Sequence, residues 1–242
     1  MHPRVPAYGS ARGRVRAGDL ATIEQLEAHA SGCELCRLCR DRTVVVVGSG
    51  PSDAEVLVVS EAPGYHEDRE GRHFAGSVEP VFDDVLAEAG LARREIFLTS
   101  VVKCRPPTGR TPFPDEVEAC EGWLFREIAL VRPRVVVTLG SLALRLVTGR
   151  QEALRDAHGA IVHAQVQGRD VVVWPLFHPA AAMHDPSLLA ALRSDARSLR
   201  DLLRGARAGA LGAAVGGGTG DTPALRHDAP AGAGEPQLTL EI

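Results

Sequence analysis

Apolar residues along this chain follow two rhythms. Short unbroken runs, Val56-Leu57-Val58-Val59, Ile96 to Val102, Val135 to Leu139 and Val171 to Trp174, predict strands buried on both faces. Between them, apolar positions recur every three to four residues and predict helices. Asp19 can cap a helix carrying Leu20, Ile23, Leu26 and Ala30. Val81, Val85, Leu86 and Ala89 mark a second, which Gly90 stops. Pro114 opens a third through Ile128, with Asp115 and Glu116 in its first turn, where the helix dipole favours acids. Gly140-Ser141 leads into a fourth ending near Gly149, and a last helix spans Ser187 to Leu203. Strands alternating with helices predict an α/β three-layer sandwich with a central parallel four-stranded sheet. Ligands bind such sheets at the carboxyl ends of the strands. The segments 61–67, 100–110 and 178–184 all follow strands, so they should meet at one edge.

The ends have a different texture. Residues 1–18 are rich in Arg, Gly and Pro and lack the apolar core of a secretory signal; although an Arg-rich, acid-free start also suits a transit peptide, a disordered leader is the reading taken. Residues 205–236 are Ala/Gly-rich and include Gly216-Gly217-Gly218, which predicts a flexible linker. The folded unit is therefore expected over 19–204, with the six residues 237–242 beyond the linker.

Composition narrows the function classes. The chain of 242 residues carries 27 basic and 31 acidic side chains, a net charge of −4, so it cannot coat nucleic acid by charge alone and any DNA contact must be a local patch. No apolar run approaches the roughly 18 residues of a membrane-spanning helix. The five cysteines form a tight group, Cys33, Cys36 and Cys39, and a second pair, Cys104 and Cys120. That pattern predicts metal ligation in a reducing, cytoplasmic compartment rather than a disulfide frame. Four thiolates suit either a structural zinc or a [4Fe–4S] cluster, and spacing alone does not separate them. Cys36 and Cys39 are spaced as well for ligation as Cys33 and Cys36.

Several blocks together are distinctive. The run Gly32 to Leu38, Glu61-Ala62-Pro63-Gly64 with Glu67-Asp68, and Gly71-Arg72-His73-Phe74-Ala75-Gly76 resemble the type-4 uracil-DNA glycosylases. So do Val102-Lys103-Cys104-Arg105-Pro106-Pro107, Arg110-Thr111-Pro112, Thr138-Leu139-Gly140 and Phe177-His178-Pro179-Ala180, in matching order across roughly residues 30–203. The resemblance implies a uracil-DNA glycosylase-like fold, a [4Fe–4S] cluster on Cys33, Cys36, Cys104 and Cys120, and hydrolysis of the N-glycosidic bond of uracil in DNA by a monofunctional enzyme. Cys39 lies outside the family's ligand set. The implied pocket comprises Glu61, Ala62, Pro63, Phe74, Ser100 and His178. Phe74 would stack on the flipped base, and His178 would serve the leaving base. Glu61 or Glu67 would orient a water toward the anomeric carbon.

Two positions depart from the family pattern. Ser60 stands where a glycine is usual, and Ser100 replaces the asparagine that reads the uracil edge. The related type-5 enzymes also lack that asparagine, so action on another deaminated base is the first rival reading. A non-catalytic iron–sulfur protein that binds DNA is the second. Contacts to DNA are expected from Lys103, Arg105 and Arg110, with Met183 as an apolar wedge. The end of the chain, Gln237-Leu238-Thr239-Leu240-Glu241-Ile242, resembles the short peptides by which bacterial repair proteins dock on the DNA sliding clamp. A monomer is expected, acting on DNA in the bacterial cytoplasm.

Overall fold

The apolar runs form a five-stranded sheet: β1 (Val56–Ser60), β2 (Ile96–Ser100), β3 (Val135–Leu139), β4 (Val162–Val166) and β5 (Arg169–Leu176), in the order β2-β1-β3-β5-β4. This computed structural model describes residues 19–183 and 185–207. The leader, most of the Ala/Gly-rich segment, the terminal peptide and His184 lie outside the described residues. β1, β2, β3 and β5 run parallel, which is the expected four-stranded core. β4 adds an antiparallel edge to it. Its register pairs Val166 with Arg169 across Gln167 and Gly168, both at positive φ, the geometry of a tight two-residue hairpin. Gln-Gly is not a strong hairpin signal, and only Val162 and Val166 of β4 are buried, so the sequence pattern is faint there.

Among the described residues, eight α-helices accompany the sheet: α1 (Ile23–Ala30), α2 (Tyr65–Glu70), α3 (Glu79–Glu88), α4 (Pro114–Val131), α5 (Ser141–Thr148), α6 (Leu154–Ala157), α7 (Pro179–Ala182) and α8 (Pro186–Arg207). Alternation along each strand sends side chains to opposite faces. Leu57, Val59, Phe97 and Val136 join the layer built by α1, α4 and α5. Val56, Val58, Ile96, Leu98, Val135 and Val137 join the layer built by α3, α7 and α8. The free edge of β2 is shielded: Ser49 and Leu98 exchange backbone hydrogen bonds of 2.9 and 2.8 Å.

Among the boundaries that differ from the sequence reading are those at α1, β2 and α8. Thr22, not Asp19, caps α1, because its extended backbone lets the hydroxyl accept from the Gln25 amide at 3.2 Å. β2 stops at Ser100 rather than Val102, where the chain turns toward Cys104. α8 runs through Gly205 to Arg207, beyond the expected start of the linker.

The largest correction concerns Lys103. Expected at the DNA surface, it is 1% exposed. Its ammonium donates to Glu127 Oε2 at 2.7 Å, Thr99 Oγ1 at 2.5 Å and the Ser100 carbonyl at 2.7 Å. Glu127 is fully buried on α4 and also accepts from the Thr99 hydroxyl and, at 2.9 Å, from the Gly48 amide. A phosphate cannot reach this ammonium. The pair instead ties the end of β2 to α4 and to the chain at Gly48. Removing one partner of such a pair leaves the other charge buried and uncompensated, at a cost of about 3–5 kcal/mol. Lys103→Met is therefore expected to lower unfolding free energy by about 3–5 kcal/mol in denaturant titration. Lys103→Met with Glu127→Leu should recover a substantial part, since no orphaned carboxylate remains.

Candidate active site and metal centre

The parallel strands all end at one sheet edge, and each end hands its chain to a loop there. β1 runs into residues 61–64 and then α2, and β2 runs into the turn toward Cys104. β5 runs through Phe177 and His178 into α7. The first two are stitched together beyond the strands, because Val101 and Val102 donate to the carbonyls of Ser60 and Glu61. Gly140, after β3, donates to the Leu176 carbonyl at 3.0 Å. The convergence expected from the sequence is present for these loops.

His178 caps α7. Its Nδ1 accepts from the Ala180 amide at 3.2 Å, so that nitrogen carries no proton. The neutral ring then carries its proton on Nε2, which becomes a hydrogen-bond donor. Burial pulls its pKa down from 6.5 to about 4, so the neutral form holds at physiological pH. Phe74 lies beside it, with ring centroids 6.0 Å apart. The Phe74 ring also lies parallel to Phe82, with centroids at 3.7 Å and planes within 10°. Phe74 adopts φ 53°, a left-handed conformation that costs a non-glycine residue about 1–3 kcal/mol. Gly76 follows at φ 75°, and a Cβ there would sit 2.4 Å from the His66 ring. Only glycine allows that approach.

The two glutamates sit differently. Burial raises the pKa of Glu61, opposed by a hydrogen bond from Thr111 and by the charge of Arg145. Burial also raises that of Glu67, whose carboxylate is held by backbone amides of Gly64 and Ala75. The Gly64 contact, at 3.1 Å, caps α2. Glu67 thereby bridges the first loop to the segment carrying Phe74. Ser100 is buried, and its hydroxyl donates to the Val102 carbonyl at 2.8 Å, inside its own turn. Ala62 is half-buried and Pro63 buried beside Glu61.

On the other side of the turn after β2, Cys33, Cys36, Cys39, Cys104 and Cys120 line one pocket together with Leu38, Arg42 and Trp123. All five cysteines are free thiols. Among the described residues, no group of three or more Cys, His, Asp or Glu side chains is already drawn together around a metal-ion position. Burial raises the Cys104 thiol to about 11 and pushes Cys120 higher still, so both stay protonated unless a bound cation favours the thiolate. Two N–H groups already point at sulfur, the Lys103 amide at 3.2 Å from Cys120 and the Arg42 guanidinium at 3.5 Å from Cys104. Arg42 also donates to the Cys33 carbonyl at 2.6 Å. Sequence reasoning missed Arg42, which is separated from Cys104 by 62 residues. Cys39 shares the pocket with the four cysteines expected to be ligands, so proximity alone does not set it apart.

Arg105 and Arg110 lie on the arm between Cys104 and Cys120, each with a side chain 26% exposed. Arg105 lies over the exposed Tyr65 ring at 5.4 Å and 3.9 Å from Asp68. Arg110 grips Glu116 through two nitrogens, at 2.8 and 2.7 Å, and stacks on Phe113. Neither bonds to a cysteine sulfur among the described contacts. Met183 ends α7 and is 37% exposed.

Comparison with known proteins gives consistent relatives. Residues 47–202 match the uracil DNA glycosylase superfamily. The chain is 34% identical over 186 residues to the type-4 uracil-DNA glycosylase of Sulfurisphaera tokodaii, covering 75% of this chain and 84% of that protein. It is 36% identical over 166 residues to the type-4 enzyme of Thermotoga maritima, covering 68% and 85%. A type-5 uracil-DNA glycosylase of Pyrobaculum aerophilum is 37% identical over 148 residues, covering 54% of this chain.

Nitrogen-resolved NMR should show His178 neutral with its proton on Nε2 throughout pH 5–8, titrating only near about 4. Because the folded-state pKa lies below the unfolded 6.5, this histidine's contribution to stability is fully present above 6.5 and is lost as pH falls toward 4. A ring that titrated near 6.5 would contradict the Ala180 contact.

Proposed function

The chain belongs to the uracil-DNA glycosylase superfamily, among its type-4 members, and on that premise we propose that it hydrolyses the N-glycosidic bond of uracil in DNA to start base excision repair. The observation that carries this is His178, a neutral imidazole with Nε2 as its donor nitrogen, beside Phe74 and at the same sheet edge as the desolvated Glu61.

A base inside a duplex is out of reach, so the target nucleotide flips out, at a cost of a few kcal/mol in stacking and pairing. The face of Phe74 recovers about 1–3 kcal/mol of that by stacking. As the C–N bond breaks, positive charge grows on the sugar and negative charge on the base. His178 Nε2–H donates to a base oxygen and stabilises the leaving anion without giving up its proton. Glu61, once ionised, orients a water toward the anomeric carbon and takes its proton as the new C–O bond forms. Glu67 keeps the loops of Glu61 and Phe74 in register through Gly64 and Ala75. The backbone of Ala62 and Pro63 walls the pocket beside them. Lys103 is the chain's sole lysine and is locked to Glu127, so no lysine amine is free to attack the sugar; this supports a monofunctional enzyme.

Cys33, Cys36, Cys104 and Cys120 would hold a [4Fe–4S] cluster, which supplies a rigid brace when bound. That brace joins the segment after α1 to the arm carrying Arg105 and Arg110. These two arginines are proposed to meet the DNA backbone and Met183 to wedge the duplex. The terminal peptide 237–242 is proposed to dock on a sliding clamp. Among the described residues no helix is long and apolar enough to cross a membrane, and action on DNA in the bacterial cytoplasm belongs to the same proposal.

Single-turnover release of uracil from a labelled oligonucleotide tests the reading. Glu61→Gln and His178→Ala should each slow release on the order of 10²-fold, while affinity for abasic product DNA changes little. Near-normal rates in both would overturn the pocket assignment. The acid limb of the pH–rate profile should lie above the ordinary carboxylate range, since burial raises the Glu61 pKa and a protonated carboxyl cannot accept the water's proton. No limb should come from His178 between pH 5 and 8.

Cys104→Ser should lose the brown visible absorbance of an iron–sulfur cluster and reduce stability, because metal binding and folding are coupled. Cys39→Ser should keep the colour. A colourless wild-type protein holding stoichiometric zinc after anaerobic purification would overturn the cluster.

A further inference from the structure

We propose that Arg93, a side chain outside the pocket, is the positioning residue that sets Phe74 in its base-stacking pose; this rests on the reading of Phe74 as the stacking ring. Arg93 lies just before β2, in the turn that follows α3. Its guanidinium forks onto two successive carbonyls, Nη1 to His73 and Nη2 to Phe74, both at 3.0 Å. Its third nitrogen, Nε, donates to Asp83 on α3 at 2.6 Å. The guanidinium also lies 5.1 Å from the Phe82 ring centroid, and Phe82 carries the Phe74 ring on its face.

One side chain therefore holds Phe74 twice, by its backbone and through the ring against which it rests. The need is visible in the backbone. At φ 53° Phe74 departs from the conformation that an L residue prefers, and outside any strand its carbonyl needs a donor from elsewhere. A planar fork with donors on adjacent nitrogens can serve two successive carbonyls and a carboxylate together; a lysine ammonium has no such fixed geometry. Asp83 fixes the fork from α3, so the pose of Phe74 is referred to the helical layer.

The test uses the full-length, cluster-containing protein. Four variants are compared: Arg93→Lys, Arg93→Gln, Phe74→Ala and Arg197→Gln. The last breaks a surface contact with Glu88 of 3.4 Å between α8 and α3 and serves as the control. Three quantities are read: single-turnover uracil release, inhibition by free uracil, and affinity for abasic DNA. Arg93→Gln is expected to slow release by about 10- to 10²-fold, the scale of a reacting partner displaced by about 1 Å. Inhibition by free uracil should weaken alongside it, with abasic-DNA affinity unchanged. Arg93→Lys keeps the charge and should show the same pattern, smaller in size. Arg197→Gln should match wild type.

Wild-type release and uracil inhibition in both Arg93 variants, with Phe74→Ala slow, would overturn the inference and leave the pocket reading standing. Slow release in the Arg93 variants with unchanged uracil inhibition would also overturn it, since the ring would then still bind the base. Wild-type behaviour of Phe74→Ala would remove the pocket reading and this inference with it.

Discussion

The ion pair of Lys103 and Glu127 is the constraint around which the sheet edge is organised. Both groups are removed from water, so each must be satisfied internally, and the partners come from the end of β2 and the chain near Gly48. The ammonium takes the Ser100 carbonyl at the end of β2, and the carboxylate takes the Gly48 amide and the Thr99 hydroxyl. The same lysine gives its backbone amide to the Cys120 sulfur, and its own carbonyl accepts from Val46. One residue thus joins the end of β2 to the thiol pocket. Such a pair adds little net stability compared with apolar residues of similar size. What it adds is geometry: β2, α4 and the segment 46–48 have few alternative arrangements that leave no charge stranded.

In the proposed pocket, groups distant in sequence are shifted in opposite senses. Burial drives His178 toward its neutral form and raises both glutamates. In the proposed reaction, a neutral histidine would donate without repelling the cationic sugar, which a charged imidazolium would do. A carboxylate of raised pKa accepts a water's proton more readily than an ordinary one. The raised pKa alone does not distinguish Glu61 from Glu67. Their partners do, because Glu67 is committed to the amides of Gly64 and Ala75 and Glu61 is not.

The thiol pocket follows a similar logic on a larger scale. Burial holds the Cys104 and Cys120 thiols in their neutral form against the opposing charges of Arg42 and Lys103, so they become thiolate ligands only with a cation bound. The arm bearing Arg105 and Arg110 leaves this pocket at Cys104 and returns to it at Cys120, so whatever holds the sulfurs also sets the position of the arm. Thr111, on that arm, reaches Glu61. The thiol pocket, the arm and the Glu61 loop are therefore mechanically continuous.

Much of this was legible in the residues. Val56–Val59 and Val135–Leu139 read as buried strands because their apolar runs admit no exposed face, and the alternation of strands with helices implied a parallel sheet with its loops at one edge. The motifs from Glu61 to Gly76 and the four cysteines carried the family and the pocket. Periodicity and motif are local properties, so the chain determines them by itself. Partnership across the fold is not local. Lys103 sits in a basic, proline-rich stretch that looks solvent-facing, and only α4 reveals its counterion; the one sequence trace was Glu127 on the helix face shared by Cys120, Leu124 and Val131. Arg42 finds Cys104, and Arg93 finds Phe74, across intervals no pattern spans. β4 escaped notice because half of it faces water and its turn is Gln-Gly. The sequence determined which segments fold and which chemistry they carry; the tertiary structure decided which charges turn inward, because only packing brings a buried ion to the partner that makes its burial tolerable.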